Sequence, residues 1–322
     1  MICSLSVVVP VYNSQETLEP LIARLHPVLA AHATAYEVIL VNDGSQDGSW
    51  EVASRLAMEH PWVRAIGLMR NYGQHNALLC GIRAARGEVT VTLDDDLQNP
   101  PEEIPRLLSL LEEGADVAYG TPAERQHGFL RSLASRITKI ALQGAMGAET
   151  ARNVSAFRAF RTRLRDAFST YRSPYVCLDV LLTWGSTRFA AVQVRHDPRA
   201  AGASNYTLRR LITHALNMMT GFSTLPLQAA SLLGFATALF GLAVLAYVVG
   251  RHLIQGGSVP GFPFLACIIA IFSGTQLFAL GIIGEYLARM HFRLMDRPAY
   301  AIREEAGAAD SAVVQMLEAR RS

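Results

Sequence analysis

Apolar and polar residues follow two different periods along the first part of the chain. Short β-branched runs with a period of two predict strands, and apolar residues three or four positions apart predict helices. The expected strands are 6–10, 36–42, 63–69, 88–93, 115–120 and 187–194. The expected helices are 14–31, 48–59, 73–85, 101–113 and 131–146. Because the two kinds of element alternate, we predict an α/β fold with a mostly parallel sheet and helices on both faces.

The last third of the chain contains two long apolar stretches without charge. They span 24 residues from Leu227 to Gly250 and 22 residues from Phe262 to Ile283. Each can cross a hydrocarbon core of about 30 Å at about 1.5 Å per residue. The alternative, a pair of buried core helices, is less favoured because such helices rarely run past about 20 residues without a charge. The sequence therefore predicts two transmembrane helices.

These patterns divide the chain into four expected parts. Residues 1–204 form the α/β domain, 205–224 an amphipathic helix along the membrane surface, and 289–322 a C-terminal tail. Residues 225–288 hold the two spans, at about 227–250 and 262–284. Arginines precede the first span and follow the second, so the positive-inside rule predicts cytoplasmic termini and domain, in a bacterial inner membrane.

Composition adds less to this picture. The chain is 51% hydrophobic with a mean hydropathy of +0.22, which is high for a soluble protein. Its net charge is +2, and we expect no nucleic-acid partner. The four cysteines lack metal-site spacing and are expected to be small core residues in a reducing compartment: Cys3, Cys80, Cys177 and Cys267.

Strand 88–93 runs directly into three carboxylates, Asp94, Asp95 and Asp96. In an extended chain Asp94 and Asp96 share one face, while Asp95 points away. Two hard oxygen donors with this spacing can bind Mg²⁺ or Mn²⁺ and leave sites free for phosphate oxygens. Gln98 could give a third oxygen. The spacing therefore predicts a metal site for a diphosphate at the carboxyl end of the strand.

A second polar segment, Asn42-Asp43-Gly44-Ser45, lies at the end of the predicted strand 36–42. The Asp43 carboxylate at this edge can accept hydrogen bonds from a base or a ribose, and Gly44 permits a tight turn. The other interpretation is that Asp43 and Ser45 only cap the next helix. A dinucleotide-binding dehydrogenase is disfavoured because no Gly-x-Gly-x-x-Gly follows the first strand, and a P-loop is absent.

Together these segments closely resemble glycosyltransferase family 2, which implies a GT-A type fold. Within it they resemble the polyprenyl-phosphate glycosyltransferases, relatives of dolichol-phosphate mannose synthase with two C-terminal transmembrane helices. The resemblance covers nearly the whole chain. Its segments are Val8-Val9-Pro10-Val11-Tyr12-Asn13 with Glu16, Val41 to Ser45, Arg70-Asn71-Tyr72-Gly73-Gln74, Asp94 to Glu102, Arg199 to Tyr206, Gly284-Glu285-Tyr286 and Arg297-Pro298.

The resemblance implies roles for individual residues. Nucleotide binding falls to Pro10, Tyr12, Glu16, Asn42, Asp43, Asn71, Asp94 and Asp95. Metal binding falls to Asp94, Asp96 and Gln98. The catalytic set is Asp94, Asp96, Arg125, Arg131 and Arg199, and the acceptor phosphate is assigned to Arg131, Ser135, Arg199 and Ser204. Arginine suits phosphate because its fork matches the oxygens.

The implied reaction moves a sugar from a UDP- or GDP-sugar to a polyprenyl phosphate in the bilayer, for envelope glycan modification or protein glycosylation. A lipid monophosphate has a second pKa near about 6 and needs no base, so we expect a single inverting displacement. A homo-oligomer is conceivable, since Gly234, Ala238 and Gly241 allow close helix approach.

Two alternatives to this reaction stay open. A processive polysaccharide synthase shares the fold, but its Gln-x-x-Arg-Trp segment is missing, since no tryptophan follows Trp184. A non-catalytic membrane scaffold is disfavoured by the intact acidic residues. The chain departs from the resemblance at Asn42, where aspartate is usual, and at Ala203, where lysine or glutamate is common. For the segment Ser155 to Arg158 we expect a structural role only.

Overall fold

An eight-stranded sheet forms the centre of the described protein. The structure, a computed structural model, describes residues 2–122, 153–197, 224–255 and 261–307. The expected helices at 131–146 and 205–224 therefore lie outside the described residues, apart from Thr224. The strands are β1 Ile2–Val11, β2 Ala33–Asn42, β3 Val63–Leu68, β4 Val89–Thr92, β5 Val117–Pro122, β6 Arg158–Arg161, β7 Phe189–Val194 and β8 Ile302–Ala306.

Within the described residues, five helices accompany the sheet, and two long apolar helices lie between β7 and β8. A short 3₁₀ turn, Pro101–Glu103, leads into α4, and a second one, Thr162–Phe168, follows β6. The helices are α1 Leu18–His32, α2 Ser49–Glu59, α3 Gln74–Ala84, α4 Ile104–Glu112, α5 Leu178–Gly185, α6 Leu225–Gln255 and α7 Phe262–Leu294.

The strand order across the sheet is β7-β5-β6-β4-β1-β2-β3-β8. Among the described strands only β6 and β8 run against the other six. The mostly parallel α/β fold is therefore confirmed. Because parallel strands end at the same edge, the segments that follow β1, β2, β3 and β4 converge there.

The apolar alternation in β1 shows how the sequence produces the layers. Leu5, Val7 and Val9 point into one core with α1, α2 and α4, whereas Val8 points into the other with α3 and α5. All four side chains are fully buried. A strand buried on both faces at the sheet centre requires this nearly continuous apolar run.

The C-terminal segment differs from the expectation. Residues 289–322 were expected as a separate tail, yet β8 pairs antiparallel with β3, with Ile302 opposite Leu68. The Met69 N–H also donates to the Ala301 carbonyl at 2.9 Å, and Ala299 is buried in the core. The chain therefore returns from the apolar helices to complete the edge of the α/β sheet.

The two apolar helices agree with the expected spans and extend beyond them. Candidate spans are Leu225–Ile254 and Ile271–His291, and neither is buried against the described protein. A Cβ on Gly241 would lie 2.5 Å from the Phe272 ring, so this glycine permits close contact between α6 and α7. The end of α7 reaches the α/β domain, where the Arg289 guanidinium lies over the Tyr175 ring at 5.1 Å.

Candidate active site

A cavity of about 270 Å³ opens at the carboxyl edge of the sheet. β2 and β4 lie on opposite sides of β1, and such a switch point in strand order forms a crevice where open α/β sheets bind ligands. Ten residues at the ends of four strands or in the segments that follow them line it: Pro10, Val11, Tyr12, Asp43, Asn71, Gly73, Gln74, Asp94, Asp95 and Asp96.

The three aspartates form an acidic turn on one wall of this cavity. The expectation that Asp95 points away is wrong, because β4 ends at Thr92 and the chain turns at Asp95 and Asp96. Strand alternation no longer applies beyond that point. Leu97 follows with a φ of +60°, a strained value for a non-glycine residue and a frequent feature of functional sites.

Each aspartate of the acidic turn accepts a different hydrogen bond. Gln74 Nε2 donates to Asp94 Oδ1 at 2.6 Å, and the Tyr12 N–H donates to Asp95 Oδ2 at 3.1 Å. The Gln98 N–H donates to Asp96 Oδ1 at 3.1 Å. Burial raises the pKa of Asp95, while hydrogen bonds from Ser14 and from the Tyr12 N–H oppose that rise. These contacts fix the carboxylates before any ligand arrives.

Asp43 holds the loop that follows β3. Its two carboxylate oxygens accept the N–H groups of Tyr72 and Gly73 at 2.7 and 2.8 Å. Burial raises the pKa of Asp43 to about 6, although the two N–H groups lower it. Asp43 does not cap α2, since the N-cap is Gly48 without a side-chain bond. The capping interpretation is therefore wrong.

Gly44 makes this arrangement possible. Its φ is +67°, and a Cβ there would lie 2.6 Å from backbone atoms of Arg70 and Asn71. Only a glycine allows the two loops to approach this closely. The turn after β2 and the loop after β3 therefore form one unit around Asp43.

Three other residues expected in the site lie off the wall of the main cavity. The Asn42 side chain is buried and accepts the Ser45 N–H at 3.3 Å, beside a smaller neighbouring cavity of about 240 Å³. Glu16 is exposed. Gln98 contributes backbone bonds, to Asp96 and from the Asp197 N–H at 2.8 Å. Metal binding by Gln98 stays a prediction, as do the roles of Asn42 and Glu16.

The residues expected to bind the acceptor phosphate, and Arg125 of the expected catalytic set, lie outside the described part of the chain. This applies to Arg125, Arg131, Ser135, Arg199 and Ser204. Their roles stay predictions.

The donor set of the acidic turn fits a divalent cation. Asp94 and Asp96 present carboxylate oxygens to the same cavity, and hard cations such as Mg²⁺ and Mn²⁺ prefer these ligands. A second cluster, His75, Cys177 and Asp179, has its donor atoms within 4.8 Å of one another. That cluster suits a metal poorly, because burial raises the Cys177 pKa to about 12 and Asp179 already pairs with Arg158.

A larger cavity, of about 1100 Å³, lies at the opposite edge of the sheet. Two of the arginines that line it are held in ion pairs, Arg161 with Glu88 at 2.9 Å and Arg188 with Asp116 at 3.0 Å. Size therefore does not identify the site here. The acidic turn and the Asp43 loop do.

Sequence reasoning missed two parts of the site. Gln74 stood in a quoted segment, yet nothing in the sequence showed that its amide reaches Asp94. The buried pair of Arg158 and Asp179 behind the acidic turn was not expected either, since the two residues lie 21 positions apart and meet only in the fold.

The fold and the cavity define an α/β enzyme of the GT-A type, with carboxylates arranged for a cation and a phosphate-bearing ligand. Residues 6–171 match the model of glycosyl transferase family 2. The chain belongs to this family and is a glycosyltransferase.

Two relatives match almost the whole chain. They are the undecaprenyl-phosphate 4-deoxy-4-formamido-L-arabinose transferases of Yersinia pestis (strain Pestoides F) and Yersinia pseudotuberculosis serotype O:3 (strain YPIII). Each is 37% identical over 307 residues, which cover 94% of this chain and 94% of the relative.

Solved structures support the fold. Glucosyl-3-phosphoglycerate synthase from Mycobacterium tuberculosis, in complex with Mn²⁺, UDP and glucosyl-3-phosphoglycerate, aligns with a TM-score of 0.52 and 21% identity. A second complex of that enzyme, with Mn²⁺, UDP-glucose and phosphoglyceric acid, gives 0.51 and 22%. Both alignments cover 68% of this chain and 78% of the other chain. The likeness to these structures is one of fold.

Proposed function

We propose that this enzyme transfers a sugar from a nucleotide sugar to the phosphate of a membrane polyprenyl phosphate. The observation that carries the proposal is the acidic turn facing the Asp43 loop across one cavity. The names of the two relatives support the lipid acceptor, and they make a formamido-arabinose the first donor sugar to test.

The residues of the cavity divide the donor between them. Asp94 and Asp96 would hold Mg²⁺ or Mn²⁺, and the bound cation would supply charge neutralisation for the diphosphate leaving group. Asp43 and Tyr12 lie on the side of β1 and β2 and receive the nucleoside. Gln74 keeps Asp94 in place at 2.6 Å, so the ligand geometry is set before the donor binds.

The acceptor explains why no base is required. A phosphate monoester with a second pKa near about 6 is a dianion at neutral pH, so its oxygen attacks the anomeric carbon without deprotonation. The enzyme has to bring two anions together, and positioning achieves this. The result is one displacement with inversion, in which the bond to the nucleoside diphosphate breaks as the bond to lipid phosphate forms.

In this proposal the apolar helices anchor the site at the membrane that holds the acceptor. With α6 and α7 across the bilayer and the α/β domain in the cytoplasm, the lipid phosphate is always near the cavity. This topology keeps β8, which follows α7, on the same side as the rest of the sheet.

A donor panel tests the proposal. Purified enzyme is given undecaprenyl phosphate, Mg²⁺ or Mn²⁺, and labelled UDP- and GDP-sugars, including the formamido-arabinose. We expect the label from one donor to enter the organic phase, and chelation of the metal to prevent it. A label that stays in water with every donor contradicts the proposal.

A further inference from the structure

A buried group of polar side chains lies behind the acidic turn and has no part in the transfer described above. Arg158 on β6 is 2% exposed, and its guanidinium pairs with Asp179 in the first turn of α5, which is 4% exposed. The hydroxyl of Tyr119, on β5, donates to the same Asp179 oxygen at 3.0 Å. Three elements therefore meet at one carboxylate.

Arg158 connects this group to the acidic turn through the sheet. β6 pairs with β4 so that Arg158 lies opposite Thr92, two residues before Asp94. Thr92 also donates its hydroxyl to the Ala156 carbonyl at 2.9 Å. Burial lowers the pKa of Arg158, while Asp179, Tyr119 and Asp94 raise it by more. The guanidinium is thus charged, and the strand that carries it pairs with the strand that leads into Asp94.

The first turn of α5 also reaches Asp94 by a second route. The Leu178 N–H donates to His75 Nδ1 at 3.3 Å, in the first turn of α3. The residue before His75 is Gln74, whose amide holds Asp94. The first turn of α5 therefore anchors both α3, which holds Asp94 through Gln74, and β6, which pairs with the strand that leads into Asp94.

The free-energy cost of burying the Arg158–Asp179 ion pair suggests that the pair has a role besides stability. Removing two charges from water costs several kcal/mol per ion, and apolar replacements of similar volume are often neutral or stabilising. Stability alone therefore does not account for the pair. Partners behind a metal ligand, in contrast, commonly set the orientation of that ligand.

We propose that Asp179 and Arg158 are positioning residues, which together hold Asp94 in the geometry that the divalent cation requires. The pair makes no contact with sugar or phosphate in this role. It deepens the proposed function, on which the assignment of Asp94 as a metal ligand rests.

The test replaces the whole group by apolar residues, as Arg158→Met, Asp179→Leu and Tyr119→Phe in one variant. Binding of Mn²⁺ alone is followed by the electron paramagnetic resonance signal of the free ion, and thermal unfolding is recorded on the same samples. We expect an unchanged or raised unfolding temperature, and a Mn²⁺ affinity lower by about tenfold or more. If the pair is purely structural, the variant that keeps its unfolding temperature also keeps its Mn²⁺ affinity. That result would overturn the proposal.

A matched control uses a second buried ion pair, nearer the amino ends of the strands. Arg64 and Glu37 pair at 3.2 Å, and the Glu37 side chain is 1% exposed. Glu37 also accepts the Ser6 hydroxyl at 2.7 Å and the Arg86 N–H at 2.6 Å, and apolar replacement leaves both donors unpaired. Arg64→Met with Glu37→Leu is therefore expected to lower the unfolding temperature and leave Mn²⁺ affinity unchanged. If the control weakens Mn²⁺ binding equally, general destabilisation explains the effect and the proposal falls.

A milder variant decides the matter if the apolar variant does not fold. Asp179→Asn keeps one oxygen for Tyr119 and Arg158 but loses the charge, and we expect a smaller loss of Mn²⁺ affinity. Unchanged affinity in this folded variant counts against the proposal. Because Mn²⁺ binding needs no lipid or sugar, failure of sugar transfer in the wild type overturns the proposed function alone.

Discussion

Four carboxylates at one edge of the sheet are held in four different ways. Asp94 is held by a side-chain amide, Asp95 by the backbone N–H of Tyr12, just after β1, and Asp96 by the N–H of Gln98. Asp43 accepts two backbone N–H groups. Asp94 and Asp96, the proposed ligands of the cation, thus accept one hydrogen bond each, whereas Asp43 on the proposed nucleoside side accepts two.

Asp94 and Asp96 are the residues whose charge matters most. Asp94→Asn or Asp96→Asn keeps the shape but removes a charged ligand, so we expect sugar transfer to fall by at least about a hundredfold. The measurement is the initial rate of label transfer to lipid against metal concentration. Asp166→Asn is the control, because this exposed carboxylate lies at the opposite edge; equal losses in both would contradict the assignment.

The raised pKa of Asp43 predicts a pH dependence. With a pKa of about 6 instead of 3.8, the ionised form is largely present at neutral pH and is lost in mild acid. Nucleotide binding should therefore weaken as pH falls below about 6. The contribution of Asp43 to stability has the opposite sign, since it is full below pH 3.8 and is lost as pH rises through about 6.

Isothermal titration with UDP at several pH values checks this dependence. Asp43→Asn is the comparison, since it does not titrate and should bind weakly with no step near pH 6. A step of the same size in the variant would assign the titration to another group.

At the scale of elements, the turns decide the site more than the strands do. The turn after β2 and the loop after β3 touch at Gly44, and the acidic turn includes the left-handed Leu97. The strand ends bring the polar groups near each other, and these turn conformations set their final positions.

Gly44→Ala tests the contact between the two turns. The added Cβ meets the Arg70 backbone at 2.6 Å, and positive φ alone costs about 1–2 kcal/mol. We expect a lower unfolding temperature together with a loss of nucleotide binding, because Tyr72 and Gly73 must move away from Asp43. Gly114→Ala is the matched control, because Gly114 also has a positive φ, +109°, but nothing lies within 4 Å of the added Cβ. Its nucleotide binding should stay normal, and equal binding in both variants would contradict this account.

The sequence predicts an element well when nearby residues determine it, and poorly when pairing with a distant strand does. Asp43 and Asp94 were placed correctly at the sheet edge, because a parallel sheet brings strand ends together whatever the loops do. Asp95 was misplaced because the end of β4 at Thr92 depends on pairing with β6. The short polar strand β8 carries little apolar signal, and only its partner β3 makes it a strand.

The whole molecule is interleaved: the α/β sheet begins before the apolar helices and is completed after them. β8 covers the edge of β3, and the Arg172–Asp296 ion pair at 2.9 Å joins the two parts again. An uncovered strand edge invites aggregation. The apolar helices therefore form an insertion in the catalytic unit.

This interleaving predicts how the chain can be shortened. A chain ending at residue 224 should aggregate and bind UDP poorly, because it lacks β8 and the buried Ala299. A chain in which residues 225–294 are replaced by a flexible Gly/Ser linker should remain soluble and bind UDP. Size-exclusion chromatography and UDP titration compare them, and equal behaviour of the two chains would refute the interleaved unit.

The mass of the lipid product shows most directly which two groups the enzyme joins. After reaction with undecaprenyl phosphate and the active donor, the account predicts a lipid heavier by one glycosyl group, with a single phosphorus that is now a diester. A product with two phosphorus atoms, a lipid carrying a sugar polymer, or no change in the lipid would contradict it.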